Sequence, residues 1–323
     1  MRNSVLQIDV DAKNCWSGCQ RRIETMPPVP QKEPTQQDRK FVVALARGLD
    51  VLRAFRSAEG MLGNNEIAER TGLPKPTVSR LTYTLTRLGY LTHVPRFSKY
   101  RLAPGVLALG YTALAHLGIR QVARPFMQDL ANHADASVAL GAPDRTRVIY
   151  VEHCFSRSVL TVRLDVGSRI PIATTAAGRA LIAVMSDEQR DATYRILAER
   201  AGAGWPKMLE GIETAIAGYE ARGFTMSIGD WQPDVNGVAV PIVMPDGTGM
   251  FAFNCGAPAF SISPERLLED IGPRLKGIVR KVSAILNGGE NEPGEDLNEA
   301  RNYQGGNVVN TGGGGRAGRR FTA

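Results

Sequence analysis

Between Pro74 and Gly89 the chain reads PKPTVSRLTYTLTRLG. Val78, Leu81, Leu85 and Leu88 recur at steps of three, four and three, the spacing of a helix that buries one stripe. The opposite side is left to Thr77, Arg80, Thr84 and Arg87, flanked by Ser79 and Tyr83, with Lys75 at its start. This set has the chemistry that duplex DNA demands. Guanidinium groups pair with guanine edges, hydroxyls bond bases or phosphates, and a tyrosine ring lies against the backbone. Proline suits the opening turn, where an amide hydrogen has no partner anyway.

The elements around this helix are those that would aim it. A first helix is predicted over about 41–57, with Leu45, Leu49, Leu52 and Phe55 on one face. Gly60 and Gly63 punctuate a loop, and Asn64 or Asn65 can cap a short helix over about 65–71. Glu66 stands in its first turn, Ile67 and Ala68 point inward, and Gly72 makes the tight turn. Past Gly89, Tyr90–Thr92 and Tyr100–Leu102 read as two short strands. The turn joining them holds Arg96 and Lys99, which can reach phosphates or the minor groove. Three helices followed by a basic hairpin predict a winged helix-turn-helix.

Charge agrees with that reading. Of the formal net charge of +7 over 323 residues, residues 41–103 alone carry ten Lys/Arg against four Asp/Glu, whereas residues 120–287 carry eighteen of each. A compact basic segment beside a neutral domain is the electrostatic footprint of nucleic-acid binding. No apolar run reaches the ~20 residues that span a bilayer, and the opening MRNSVLQIDVDAKNCWSGC lacks the apolar core of a secretory leader. The expected compartment is the cytoplasm. Met26, which opens the stretch leading into the first helix, is a second candidate start of translation. Residues 1–40 and 288–323 are polar or glycine-rich and are expected to be disordered.

The remainder predicts a second domain. Pro104–Gly118 carries no charge, so a linker helix there should pack on something, either a partner subunit or its own domain. Strands are expected at Ser137–Leu140, Arg147–Cys154 and Val159–Leu164, and again at about 224–228, 237–244 and 249–255. Helices are expected at about 120–133, 176–185, 187 onward, 208–222 and 264–287. The sum is an α+β layer fold with a mainly antiparallel sheet. Thr174-Thr175-Ala176-Ala177-Gly178 leads into a helix N-terminus. That suits a bound carboxylate, although a cap with tight packing fits equally well.

Catalytic alternatives are thin. HExxH, GxSxG and GxxxxGK[ST] are absent, and Cys15, Cys19, Cys154 and Cys255 make no paired metal framework, so no catalytic residue, metal or cofactor is expected. A thiol enzyme would need Cys255 and His153 to meet across the sheet. A purely architectural DNA protein would spread positive charge over its whole bulk.

The runs ALARGLDVLRAF, NEIAERTGLPKPTVSRLTYTLTRLGYL and KYRLAPGVLALG closely resemble the N-terminal domain of the IclR family of bacterial transcriptional regulators. GSRIPIATTAAGRALIAVMSDEQR and GFTMSIGDWQPDVNGVAVPIVMPDGTGMFAFNCGAP are similar to its effector-binding domain. The resemblance covers about residues 41–285. It implies a winged helix-turn-helix over 41–103, a linker helix over 104–119 and a GAF-like effector domain over 120–287. It also implies a homodimer or dimer of dimers that binds double-stranded DNA and a small organic effector, often a carboxylate or aromatic catabolite. By position it carries ligand contacts onto Ala176, Ala177, Asp230, Gly237, Phe253 and Cys255. The family usually has Glu at Asp230, Cys, Ser or Ala at Gly237, and in some members a small or hydroxylic residue at Phe253. More apolar surface here would favour an aromatic or otherwise less polar ligand.

Overall fold

The computed structural model describes residues 40–55, 60–156, 164–244, 247 and 249–288. The expected tails, the Cys15/Cys19 pair and most of the strand at 159–164 lie outside the described residues.

Helices α1 (Val43–Arg53), α2 (Asn64–Thr71) and α3 (Lys75–Arg87) precede strands β1 (Leu91–Val94) and β2 (Lys99–Leu102). The strands pair antiparallel around a 3-10 turn at Pro95–Phe97. Leu62 adds an isolated bridge to Tyr100, with reciprocal backbone bonds of 2.9 and 2.7 Å. Val51, Phe55, Leu62, Ile67, Val78, Leu85 and Leu91 form the core of this unit. The face that α1 buries differs from the expected one. Leu45 and Leu49 are exposed, while Val51 and Phe55 are buried, because only the C-terminal half of α1 finds α2 and α3 to pack on. Leu88, expected in the buried stripe of α3, lies exposed one turn past Leu85.

Helix α4 (Pro104–Ala115) buries none of its residues, and Leu107, Leu109 and Tyr111 stand 73, 60 and 70% exposed. Helix α5 (Gly118–Ala134) then leads into β3 (Ser137–Asp144), β4 (Arg147–Phe155) and β5 (Arg169–Pro171). Next come α6 (Ala176–Ala183), α7 (Asp187–Ala201), α8 (Trp205–Arg222), β6 (Thr225–Ile228), β7 (Val235–Val243) and β8 (Met250–Pro258). The six strands form one antiparallel sheet in the order β5-β4-β3-β8-β7-β6. The closing helix starts at Pro264–Arg266, widens into a π turn at Leu267–Ile271 and continues as α9 (Gly272–Leu286). Ser186 and Gln189 make the expected capping box at the start of α7.

Each face of the sheet has its own apolar layer. On one side Met127, Leu140, Phe253, Cys255 and Leu275 pack under α5 and α9. On that side buried Glu152 also accepts bonds from Arg120 (3.0 Å) and Arg124 (2.5 Å), tying α5 to β4. On the other side Ile172, Leu181, Ile182, Ile212 and Ala239 pack under α6 and α8. Helix α6 sits so close to the chain entering it that a Cβ on Gly178 would overlap the backbone of Ile172.

Candidate functional site

Two surfaces concentrate the chemistry. On α3, Ser79, Arg80, Tyr83 and Thr84 line one shallow surface hollow, with Lys75 and Arg87 exposed on the same helix and Thr77 half-buried. The helix is aimed by contacts with α2. Thr82 is fully buried, and its hydroxyl lies 3.2 Å from Asn64 Oδ1 and 3.1 Å from the Ser79 carbonyl oxygen. Asn64 is therefore committed to α3, and the N-cap of α2 is Gly63. The Gly63 N–H donates to Glu66 Oε2 at 2.6 Å. Lys99 Nζ donates to the other oxygen of Glu66 at 2.9 Å, fastening the wing to α2. The backbone bond from Gly63, then the Lys99 ammonium, hold the Glu66 carboxyl below its usual range. Of the two basic wing residues, Arg96 is exposed, its guanidinium 5.5 Å from the Phe97 ring centroid, while Lys99 is only half free.

The second surface is a cavity between the sheet and the start of α6. Its empty space is about 480 Å³, counting the part open to solvent. Strand register explains the lining. One row across the sheet runs Ser227, Gly237, Gly256, Ser137. The next runs Thr225, Ala239, Asn254, Ala139, His153. Small residues in both rows leave room above the sheet. A β-bulge opposite Leu140/Gly141 shifts the alternation of β4, so that Tyr150 and His153, three residues apart, both line the cavity. Leu164, Ile170 and Trp231 supply apolar wall, and Thr175 and Ala176 bring in the start of α6.

The polar groups here are uncharged. Asn254 Nδ2 donates to the Tyr150 hydroxyl oxygen at 3.2 Å. Burial pushes the Tyr150 phenol well above its ordinary range. Burial likewise drives His153 down to about 4, against the opposing pull of Asp165 and Glu152. Thr175 caps α6 by accepting from the Gly178 N–H at 3.1 Å. The sheet holds that helix start through two hydroxyl donors, Thr225 to the Ala176 carbonyl and Ser227 to the Thr174 carbonyl, each at 2.8 Å.

The chain matches the family model for the IclR helix-turn-helix domain over residues 44–95 and that for the bacterial transcriptional regulator IclR C-terminal domain over 111–284. It belongs to the IclR family of bacterial transcriptional regulators. The HTH-type transcriptional regulator TsaQ1/TsaQ2 of Comamonas testosteroni is 35% identical over 248 residues, covering 76% of this chain and 89% of that one. The crystal structure of an IclR family transcriptional regulator from Brucella abortus is 44% identical, covers 79% of this chain and 96% of its own, and superposes with a TM-score of 0.73. An IclR homologue from Microbacterium hydrocarbonoxydans complexed with 4-hydroxybenzoate shares the fold at 22% identity, covering 74% and 99% of the two chains with a TM-score of 0.57.

Within this IclR-family chain the six ligand positions carried over by resemblance part company. Ala176 and Gly237 line the cavity. Ala177 is buried in the apolar layer behind it. Asp230 is turned to Arg179, whose buried guanidinium donates to Asp230 Oδ2 at 2.5 Å and to the Ala173 carbonyl at 2.9 Å. Its neighbour Trp231 faces the cavity instead. Phe253 and Cys255 belong to the layer on the opposite face, in register with Leu140/Val240 and Val138/Val238. Strand alternation sends Asn254 between them to the cavity. The same register separates Cys255 from His153, because Cys255 shares its row with Val138 and Cys154. Burial also pushes the Cys255 thiol up to about 12, away from the nucleophilic thiolate. Among the cavity residues that the sequence did not single out are Ser137, Tyr150, Ser227 and Asn254. Their signal was the alternation of β3, β4, β6 and β8, which becomes usable only once register and bulge are known.

Proposed function

We propose that this regulator reads its operator with the exposed face of α3 and steadies itself on phosphates with the wing, and that a small organic acid in the cavity alters that grip. The observation that carries the reading is the gathering of Ser79, Arg80, Tyr83 and Thr84 on one open surface, with Lys75, Thr77 and Arg87 on the same helix and Arg96 and Lys99 on the wing. Side chains of these types pair with base edges and phosphates. For the effector, the N–H groups of Ala176 and Ala177 have no acceptor within their helix and carry its positive dipole end, which suits a carboxylate. Gly237 gives it space, and Asp230 acts at one remove by holding Arg179. The relative solved with 4-hydroxybenzoate supports an aromatic acid.

The working form is a dimer. Leu45 and Leu49 on α1 and Leu107, Leu109 and Tyr111 on α4 are exposed apolar surface, and a two-fold protein matches two half-sites. A dimer of dimers is compatible with the same faces. Its DNA target places it in the cytoplasm.

The test is fluorescence anisotropy of the full chain against DNA from upstream of its own gene, at physiological salt with random DNA as competitor, with and without organic acids. Selective binding that an acid shifts is expected. Binding no tighter than to random DNA across candidate promoters would overturn the operator reading.

A further inference from the structure

One side chain in the cavity has chemistry that nothing among the described residues uses. His153 is 7% exposed, and both of its ring nitrogens are buried with no hydrogen-bond partner. Its near neighbours do not serve them. The Phe155 ring lies at 4.0 Å between centroids and has no acceptor, and the Tyr150 ring lies at 5.6 Å with its hydroxyl oxygen taken up by Asn254. Buried polar groups are almost always satisfied, and those that are not call for a missing partner. His153 lines the cavity, so a guest held there meets these nitrogens, which find no partner among the described residues.

The chemistry of the guest follows from the state of the ring. Burial keeps His153 neutral at physiological pH, so one nitrogen donates and the other accepts. A hydroxyl group can accept from the N–H or donate to the bare nitrogen, so it can bond whichever of the two it meets. A second carboxylate offers acceptors only and would bring an uncompensated charge against Ala139, Leu164 and Ile170. The rings of Tyr150 and Trp231 and the small residues Ala139, Gly237 and Gly256 line the same cavity, a lining that suits an aromatic ring. Ala176, at the start of α6, and His153, on β4, line the same cavity from different elements.

Resting on the effector reading above, we propose that His153 is the specificity-determining contact of the cavity, binding a phenolic hydroxyl of an aromatic monocarboxylate. The experiment is isothermal titration of the full chain with benzoate, 3-hydroxybenzoate and 4-hydroxybenzoate, for the parent protein, His153→Leu and His153→Gln. The parent is expected to prefer at least one hydroxybenzoate over benzoate by about tenfold or more, the worth of one well-made hydrogen bond. His153→Leu should abolish the preference while leaving benzoate affinity within about threefold, and His153→Gln, which keeps a donor and an acceptor, should restore part of it. Equal binding of all three acids by the parent, or a preference that survives His153→Leu, would overturn the proposal. Binding of none of them would overturn the hydroxy-aromatic assignment. The effector reading would then be judged separately, by whether other organic acids shift operator binding.

Discussion

The face of α3 and the cavity of the sheet domain are built on opposite terms. The first is open and charged, and it is carried by one helix whose exposed side needs no other element to complete it. The second is recessed, partly open to solvent, and uncharged. It is assembled from six strands, a bulge, the start of α6 and the loop at Trp231. The first presents Arg80, Tyr83 and Arg87 to a partner that brings its own charge, and water screens them meanwhile. The second removes groups from water and must then satisfy them, which is why Asn254 is bonded to Tyr150 and why His153, left without a partner, points to a ligand. A surface of the first kind tolerates change in its frame. One of the second kind depends on close approach of backbones.

The sharpest way to break that contrast is at glycines. A Cβ on Gly178 would overlap the Ile172 backbone, so Gly178→Ala should cost about 3 kcal/mol or more. A Cβ on Gly60 in the winged helix meets nothing within 4 Å among the described residues, and Gly60→Ala should stay within about 0.5 kcal/mol. Chemical denaturation of both variants measures the difference, and equal effects would refute the contrast.

A second test uses acid. His153 has a folded pKa of about 4 against an ordinary 6.5. Above 6.5 both states are neutral and stability is full. As pH falls from 6.5 to 4 the unfolded chain takes up a proton that the folded one refuses. Stability should therefore drop by on the order of 3 kcal/mol over that window. Unfolding curves of His153→Leu should show an acid loss smaller by that amount, and an unchanged loss would mean the ring is solvated.

On the open face, Arg80→Ala should lower operator affinity by ~1–3 kcal/mol if it reads a base, with the unfolding midpoint unmoved. Anisotropy with operator and random DNA checks it, and an untouched affinity would mean that another side chain reads the site. Smaller still, Thr82→Val should cost about 1 kcal/mol of stability by orphaning Asn64 Oδ1. Lys99→Ala should weaken binding to all DNA only slightly, because Glu66 already holds the ammonium.

Local physics wrote the winged helix into the sequence. The spacing of Val78 and Leu85, the turn at Gly72 and the basic hairpin are decided by residues within a few positions of one another, and the exposed face of α3 followed from them. So did the helices of the second domain and the capping box at Ser186, whereas β5 at Arg169–Pro171 was not foreseen. Tertiary structure decided the rest. Which half of α1 is buried depended on where α2 and α3 end. Asn64 and Lys99 went to Thr82 and Glu66, partners 18 and 33 residues away. Phe253 and Cys255 fell on one face of β8 and Asn254 on the other because register, not composition, sets which side a strand residue takes. His153 joined Tyr150 in the cavity through a single bulge, and a bulge is fixed by how two strands pair, which neither strand encodes alone.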